Sequence, residues 1–130
     1  MIKVLILSVL TLFSCSNSTE QGNIISKVIS VDELQQLIKE KADLQLIDVR
    51  TIREYNAGHL SDAKLIDYYK SDFKSQLQKL DKEKPVAVYC AVGVRSNSAL
   101  KILRKIGFKE AYDLAGGIEA WREKRLPIVK

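Results

Sequence analysis

Histidine occurs once in this chain and cysteine twice. That is too few for a cluster of Cys and His metal ligands, and no glycine-rich nucleotide loop is present. Neither a metal nor a cofactor is therefore expected. Basic residues outnumber acidic ones, for a formal net charge of +5. Yet they form no run and no pattern interleaved with aromatics, which argues against nucleic acid as a partner. Spread in this way they suit solvated helix faces, with a weak bias toward anionic ligands or lipid headgroups. Internal repeats and low-complexity tracts are missing too. The chain has 130 residues, 46% hydrophobic and 28% charged. Such a balance fits one globular domain with a single core.

The longest apolar stretch runs from Val4 to Phe13, behind the lone positive charge of Lys3. A membrane-spanning helix needs about 20 residues, so this stretch is too short. It fits the apolar region of a secretory signal. The segment LFSC, Leu12 to Cys15, resembles the lipobox of bacterial lipoproteins. That resemblance implies a signal over residues 1–14, cleavage before Cys15, and a lipid on Cys15. The alternative is an ordinary cleaved signal in which Cys15 is incidental. Residues 15–23 then form a polar tether, residues 24–130 the folded domain, and the location is the cell envelope, on a membrane facing the periplasm. Two cysteines in an exported chain first suggest a disulfide. With Cys15 lipidated, Cys90 has no partner, and a lone thiol in an oxidising compartment is exposed to unwanted chemistry. Its retention at a loop suggests use.

After the tether, strand and helix patterns alternate. Asn23 to Ser30 is rich in β-branched residues and reads as a short strand. Ser30 and Glu33 form a capping box for a helix whose buried face carries Val31, Leu34, Leu37 and Ile38. Leu44 to Val49 is a second strand, Thr51 to Leu60 a short helix ending near Gly58, and Ala63 to Asp67 a third strand. Phe73, Leu77 and Leu80 are spaced as the stripe of another helix. Val86 to Tyr89 is apolar throughout, as in strands covered on both faces. A helix is expected from Ser96 to Ile106, with Gly107 at its C-terminal end, then a strand EAYDL and a short helix GGIEAWREK. The alternation predicts an α/β fold with a parallel sheet.

Cys90 stands at the carboxyl end of a strand, where open α/β sheets bind ligands. The loop CAVGVR, Cys90 to Arg95, separates it from a helix. Converging loop N–H groups, the helix N-terminus and the Arg95 cation all favour a thiolate. A thiol's ordinary pKa of about 8.5 falls in such surroundings. Gly93 permits a positive φ in mid-loop. A free cysteine after an apolar run is otherwise a small buried hydrophobe; Gly93, Arg95 and Ser96 at these spacings favour function.

The segments DVRTIREYNAGHLSDA, CAVGVRS and LAGGIEAW together resemble the single-domain rhodaneses, a family of sulfurtransferases, over about Val28 to Pro127. The resemblance implies a five-stranded parallel sheet with helices on both faces. It implies that Cys90 accepts a sulfane sulfur from a thiosulfate-like or persulfide donor and passes it to a thiol or cyanide, by double displacement. It assigns the N–H groups of Ala91, Val92, Gly93, Val94, Arg95 and Ser96 to the cradle of the persulfide and the anionic end of the substrate. Arg95 is expected to orient the loop, bind the anion, or both, and Ser96 to cap the next helix. Asp48 and Arg50 are placed near the same rim, as an ion-paired brace or a surrounding shell of the site. Arg53 and Glu54 are expected in that bracing network, His59 in a structural turn, Gly116 and Gly117 in a turn, and Trp121 in the core. The molecule is expected to act as a monomer.

Two rivals stand beside this. Cysteine phosphatases place five residues between cysteine and arginine; here four intervene, Ala91 to Val94, and no aspartate general acid stands out. A silent module that binds sulfur or a partner is the other, although inactive rhodanese-like domains usually lack the cysteine.

Overall fold

The computed structural model describes residues 22–130. The signal, the Cys15 site and most of the tether lie outside the described residues. In chain order the elements are β1 (Ile25–Ile29), α1 (Val31–Glu40), β2 (Gln45–Asp48), α2 (Ile52–Ala57), β3 (Lys64–Leu65), α3 (Phe73–Gln78), β4 (Val86–Tyr89), α4 (Val94–Lys105), β5 (Glu110–Leu114) and α5 (Gly117–Glu123). The strands form one five-stranded sheet in the order β1-β5-β4-β2-β3, with every pairing parallel. The expected α/β fold is the one observed.

Helices cover both faces because the central strands alternate between two cores. Val86, Val88 and Cys90 point into one, with Ile47, Phe73, Leu77, Ala99, Leu103 and Phe108. Ala87 and Tyr89 point into the other, with Val31, Leu34, Tyr112, Ile118 and Trp121. Thus α3 and α4 pack on one face, α1 and α5 on the opposite one. Period-two alternation in a strand that is apolar at every position is what burial on both sides demands. Leu34 and Leu77 have no exposed surface, and each such side chain contributes about 2 kcal/mol by leaving water.

Local chemistry sets the ends. Ser30 caps α1 through a reciprocal box: its hydroxyl accepts from the Glu33 N–H, and the Glu33 carboxylate accepts from the Ser30 N–H. Thr51 and Glu54 repeat the device at α2. Four expectations need correction. Ile38 is 41% exposed, because the buried stripe of α1 narrows to Val31 and Leu34. Leu80 packs on the core from beyond the end of α3. The third strand shrinks to two residues; past it the Ile66 N–H still donates to the Asp48 carbonyl. Finally, α4 starts at Val94 rather than Ser96. Gly93, at φ 107°, turns the chain so that its carbonyl already accepts from the Asn97 N–H. Ser96 therefore lies inside the first turn and caps nothing.

Candidate active site

The parallel sheet delivers Cys90 to the carboxyl edge of a central strand, one residue past β4. Two glycines shape the loop beyond it. Gly93 adopts a positive φ that other residues rarely adopt. At Gly117 a Cβ would overlap the carbonyl oxygens of both Cys90 and Ala91. That closeness has a purpose: the Ile118 N–H donates to the Cys90 carbonyl at 2.9 Å, and the Glu119 N–H to the Ala91 carbonyl at 3.1 Å. The start of α5 thus draws the loop's carbonyls to one side and leaves its N–H groups facing the sulfur.

Those N–H groups meet Cys90 Sγ. The Gly93 N–H donates to it at 3.1 Å, and the Ser96 hydroxyl lies 3.4 Å away. Burial pushes the thiol's pKa up, but hydrogen bonds from the Ser96 hydroxyl and from the N–H groups of Ser96, Gly93 and Val92 outweigh it, so the thiol is held below its ordinary value. Ser96 sits in the first turn of α4, where N–H groups have no partner within the helix. Cys90 is a free thiol and only 1% exposed. Val92 and Val94 point outward, 60% and 72% exposed.

Arg95 does not make the direct approach to the thiolate that its place in the loop suggests. Its Nη1 and Nη2 donate to Glu54 Oε1 and Oε2 at 2.8 and 2.9 Å, a fork-to-fork pair. The guanidinium beside Glu54 holds that carboxyl at about 2. Glu54 in turn raises Arg95, with the charge of Cys90 a smaller contribution in the same direction. The guanidinium carbon lies 5.6 Å from the ring centre of Tyr69, itself 68% exposed. Glu54 thus braces the sulfur loop directly while its charge also reaches Arg50, and Arg53 is exposed.

Asp48 and Arg50 are both buried. Arg50 Nη2 donates to Asp48 Oδ2 and to the Gly58 carbonyl, each at 2.7 Å, and Nε donates to Asp48 Oδ1 at 3.0 Å. The guanidinium lies 5.7 Å from the ring centre of Tyr89, whose hydroxyl accepts from the Leu60 N–H. Together they tie the end of β2 to the end of α2 and to the strand that carries Cys90. His59 stacks on Tyr55 at 3.7 Å, and its Nδ1 lies 2.9 Å from the Tyr55 carbonyl. It braces a turn whose backbone pairs with Val129. Trp121 is buried, with Nε1 donating to the Pro127 carbonyl.

One residue of the site has no counterpart among the sequence expectations. Asp113 is 2% exposed on β5, and its Oδ1 has no hydrogen-bond partner. Burial pushes its carboxyl up, while Ser96 and Asn97 pull it back. Asn97 Nδ2 lies 3.4 Å from its Oδ2. The signal was a second acidic residue in the strand EAYDL, flanked by Tyr112 and Leu114. Register places Asp113 opposite Val88, two residues before Cys90. Ser96 therefore touches both the sulfur and the surroundings of a buried acid. Among the described residues, no group of acidic, His or Cys side chains could hold a metal ion.

Comparison with known proteins agrees with this architecture. The sequence model of the rhodanese-like domain matches residues 30–124. The thiosulfate sulfurtransferase GlpE of Coxiella burnetii is 44% identical over 102 residues, covering 74% of this chain and 87% of that protein. The probable adenylyltransferase/sulfurtransferase MoeZ of Mycobacterium tuberculosis is 36% identical over 99 residues, covering 76% of this chain and 25% of that longer protein. A rhodanese-related protein from Thermoplasma volcanium superposes with a TM-score of 0.70 at 30% identity, over 79% of this chain and 97% of that one. The human single-domain sulfurtransferase does so with a TM-score of 0.67 at 28% identity, over 75% and 96%.

Proposed function

Because the chain belongs to the rhodanese-like domain family, we propose that it is a sulfurtransferase that carries sulfur on Cys90. The observation that carries this reading is the hydrogen-bonded thiol itself: a buried sulfur, held below its ordinary pKa by loop N–H groups and a hydroxyl. The Cys90 thiolate attacks the outer sulfur of a thiosulfate-like or persulfide donor. The bond between that sulfur and the rest of the donor breaks, and the donor leaves with the electron pair, as sulfite from thiosulfate or as a thiolate from a persulfide. In the second half an acceptor attacks the outer sulfur of the Cys90 persulfide. Thiocyanate or a new persulfide departs, and the Cys90 thiolate returns. Neither half needs a general base once Cys90 is ionised, and splitting the transfer in two is the ordinary logic of covalent catalysis.

The chain's own groups hold and orient. The Gly93 N–H that donates to the sulfur, with the N–H groups of Val92 and Ser96 that favour the thiolate, supports a cradle for the persulfide. Ala91 supplies the carbonyl that α5 anchors, and Val94 begins the helix. Arg95 holds the loop in shape through Glu54. Asp48 and Arg50 hold the strand end beneath it.

The deciding experiment is the intact mass of purified protein exposed to thiosulfate. A gain of one sulfur atom on Cys90, removable by cyanide, is expected. Cys90→Ser keeps the size, loses the nucleophile and should show neither the gain nor thiocyanate formation. Full turnover in that variant, or hydrolysis of aryl phosphates without sulfur transfer in the parent, would overturn the proposal; a protein that holds sulfur but never releases it would be a binding module.

For location, the proposed arrangement is a periplasm-facing lipoprotein working as a monomer, anchored by lipid on Cys15. Among the described residues, no helix is long and apolar enough to cross a membrane. Mass analysis of membrane-extracted protein should find a lipid-bearing N-terminal Cys15. An intact chain starting at Met1 would remove the anchor.

A further inference from the structure

Arg95 is the only charged residue between Tyr89 and Leu100, so it is the loop's sole side-chain cation. Its two terminal nitrogens are taken by the two oxygens of Glu54. The pair is close and partly shielded, with the Arg95 side chain 16% exposed. A thiolate that must receive a dianionic donor gains most from a free cation nearby, since like charges repel and a compensating charge removes that cost. Here the cation is already compensated. What remains to hold a donor is a set of neutral N–H dipoles. In the same loop Val92 and Val94 present apolar side chains to solvent, and the Tyr69 ring lies against the Arg95 guanidinium; all three are exposed by more than half.

Resting on the sulfurtransferase reading, we propose that Glu54 is a specificity-determining residue. By cancelling Arg95 it turns the site away from dianionic donors and toward donors of lower charge that carry an apolar group beside the transferable sulfur. Thiosulfate and methanethiosulfonate separate the two demands. They have similar shapes, but the second replaces one anionic oxygen with a methyl group and so carries one negative charge fewer. Both react alike. The Cys90 thiolate attacks the outer sulfur, the S–S bond breaks, and sulfite or methanesulfinate leaves with the electron pair, each yielding the same persulfide.

The test measures kcat/KM for both donors, with cyanide as acceptor, in the full chain and in Glu54→Gln. Glutamine keeps the length and an oxygen for the Thr51 N–H, yet frees the Arg95 charge. The thiosulfate-to-methanethiosulfonate ratio should rise about fivefold at low salt, the scale of one added unit charge at close range in water, and the gain should shrink as salt is added. A purely structural Glu54 would lower both donors together and leave the ratio alone. Val94→Lys places a new cation on the exposed side of the same loop without touching the pair, and it should move the ratio in the same direction. An unchanged ratio in folded Glu54→Gln overturns the inference; should that variant not fold, an unchanged ratio in Val94→Lys does so. Absence of a persulfide on the unmodified chain with either donor defeats the underlying sulfurtransferase reading, and the inference with it.

Discussion

Ser96 has no exposed surface, and its hydroxyl and N–H both support the sulfur. Ser96→Ala removes the hydroxyl alone. The pH midpoint of Cys90 alkylation should move upward in that variant, toward the ordinary thiol value, with little change in the far-ultraviolet spectrum. A midpoint that stays put would assign the thiolate to the backbone alone. Glu54 allows a test of a different kind. Its carboxyl lies at about 2 in the fold against an ordinary value of 4.5. A depressed folded pKa stabilises the protein fully above the unfolded value, and that contribution is lost as pH falls through the folded one. The stability difference between the parent and Glu54→Gln, from urea melts, should therefore be largest above about pH 4.5 and shrink toward about pH 2. Cys90 itself is legible from its position between an apolar strand and a glycine-bearing loop. The partner of Arg95 is not: Glu54 lies 41 residues earlier, and nothing local to either residue marks the pairing. Ser96 misleads because serine before a helix suggests a cap, whereas Gly93 in a left-handed conformation has already begun the helix.

Two elements make the loop, β4 leading in and α4 leading out, but a third holds it. The N–H groups at the start of α5 take the carbonyls of Cys90 and Ala91, and only glycine at 117 lets the backbones approach so closely. Gly117→Ala should destabilise the domain by about 3 kcal/mol, combining a positive φ of 59° with direct overlap. It should also lower sulfur transfer steeply, since the loop must move. Gly107→Ala is the matched comparison. Gly107 also has a positive φ, 98°, but a Cβ there meets nothing within 4 Å. A cost of about 1 kcal/mol with transfer intact is expected. Equal effects at both positions would mean that backbone strain, not the seat under the loop, explains them. The sequence shows Gly116 and Gly117 as a turn before a helix; that the turn supports the sulfur loop emerges only when β5 and β4 lie side by side.

At the level of the molecule, the Asp48–Arg50 pair ties together regions that the sheet alone does not join. Arg50 is 3% exposed and Asp48 fully buried. Arg50→Ala leaves the carboxylate without its partner and should cost about 3–5 kcal/mol in a urea melt, far more than loss of a surface pair. A loss below about 1 kcal/mol would mean that water replaces the guanidinium. The fold class is readable from strands alternating with helices, since each element's apolar spacing declares its type. The strand order is not. Placing β5 between β1 and β4 depends on contacts such as Ile25 with Glu110, which no local pattern encodes.

The parallel sheet also gives the domain a direction. The chain enters β1 beside Glu110 and leaves β4 at Cys90, on the rim where Ile29 and Leu114 end. Along strands of this length the two rims lie about 16 Å apart. The chain therefore joins β1 at one rim, while any molecule that reaches Cys90 arrives at the other.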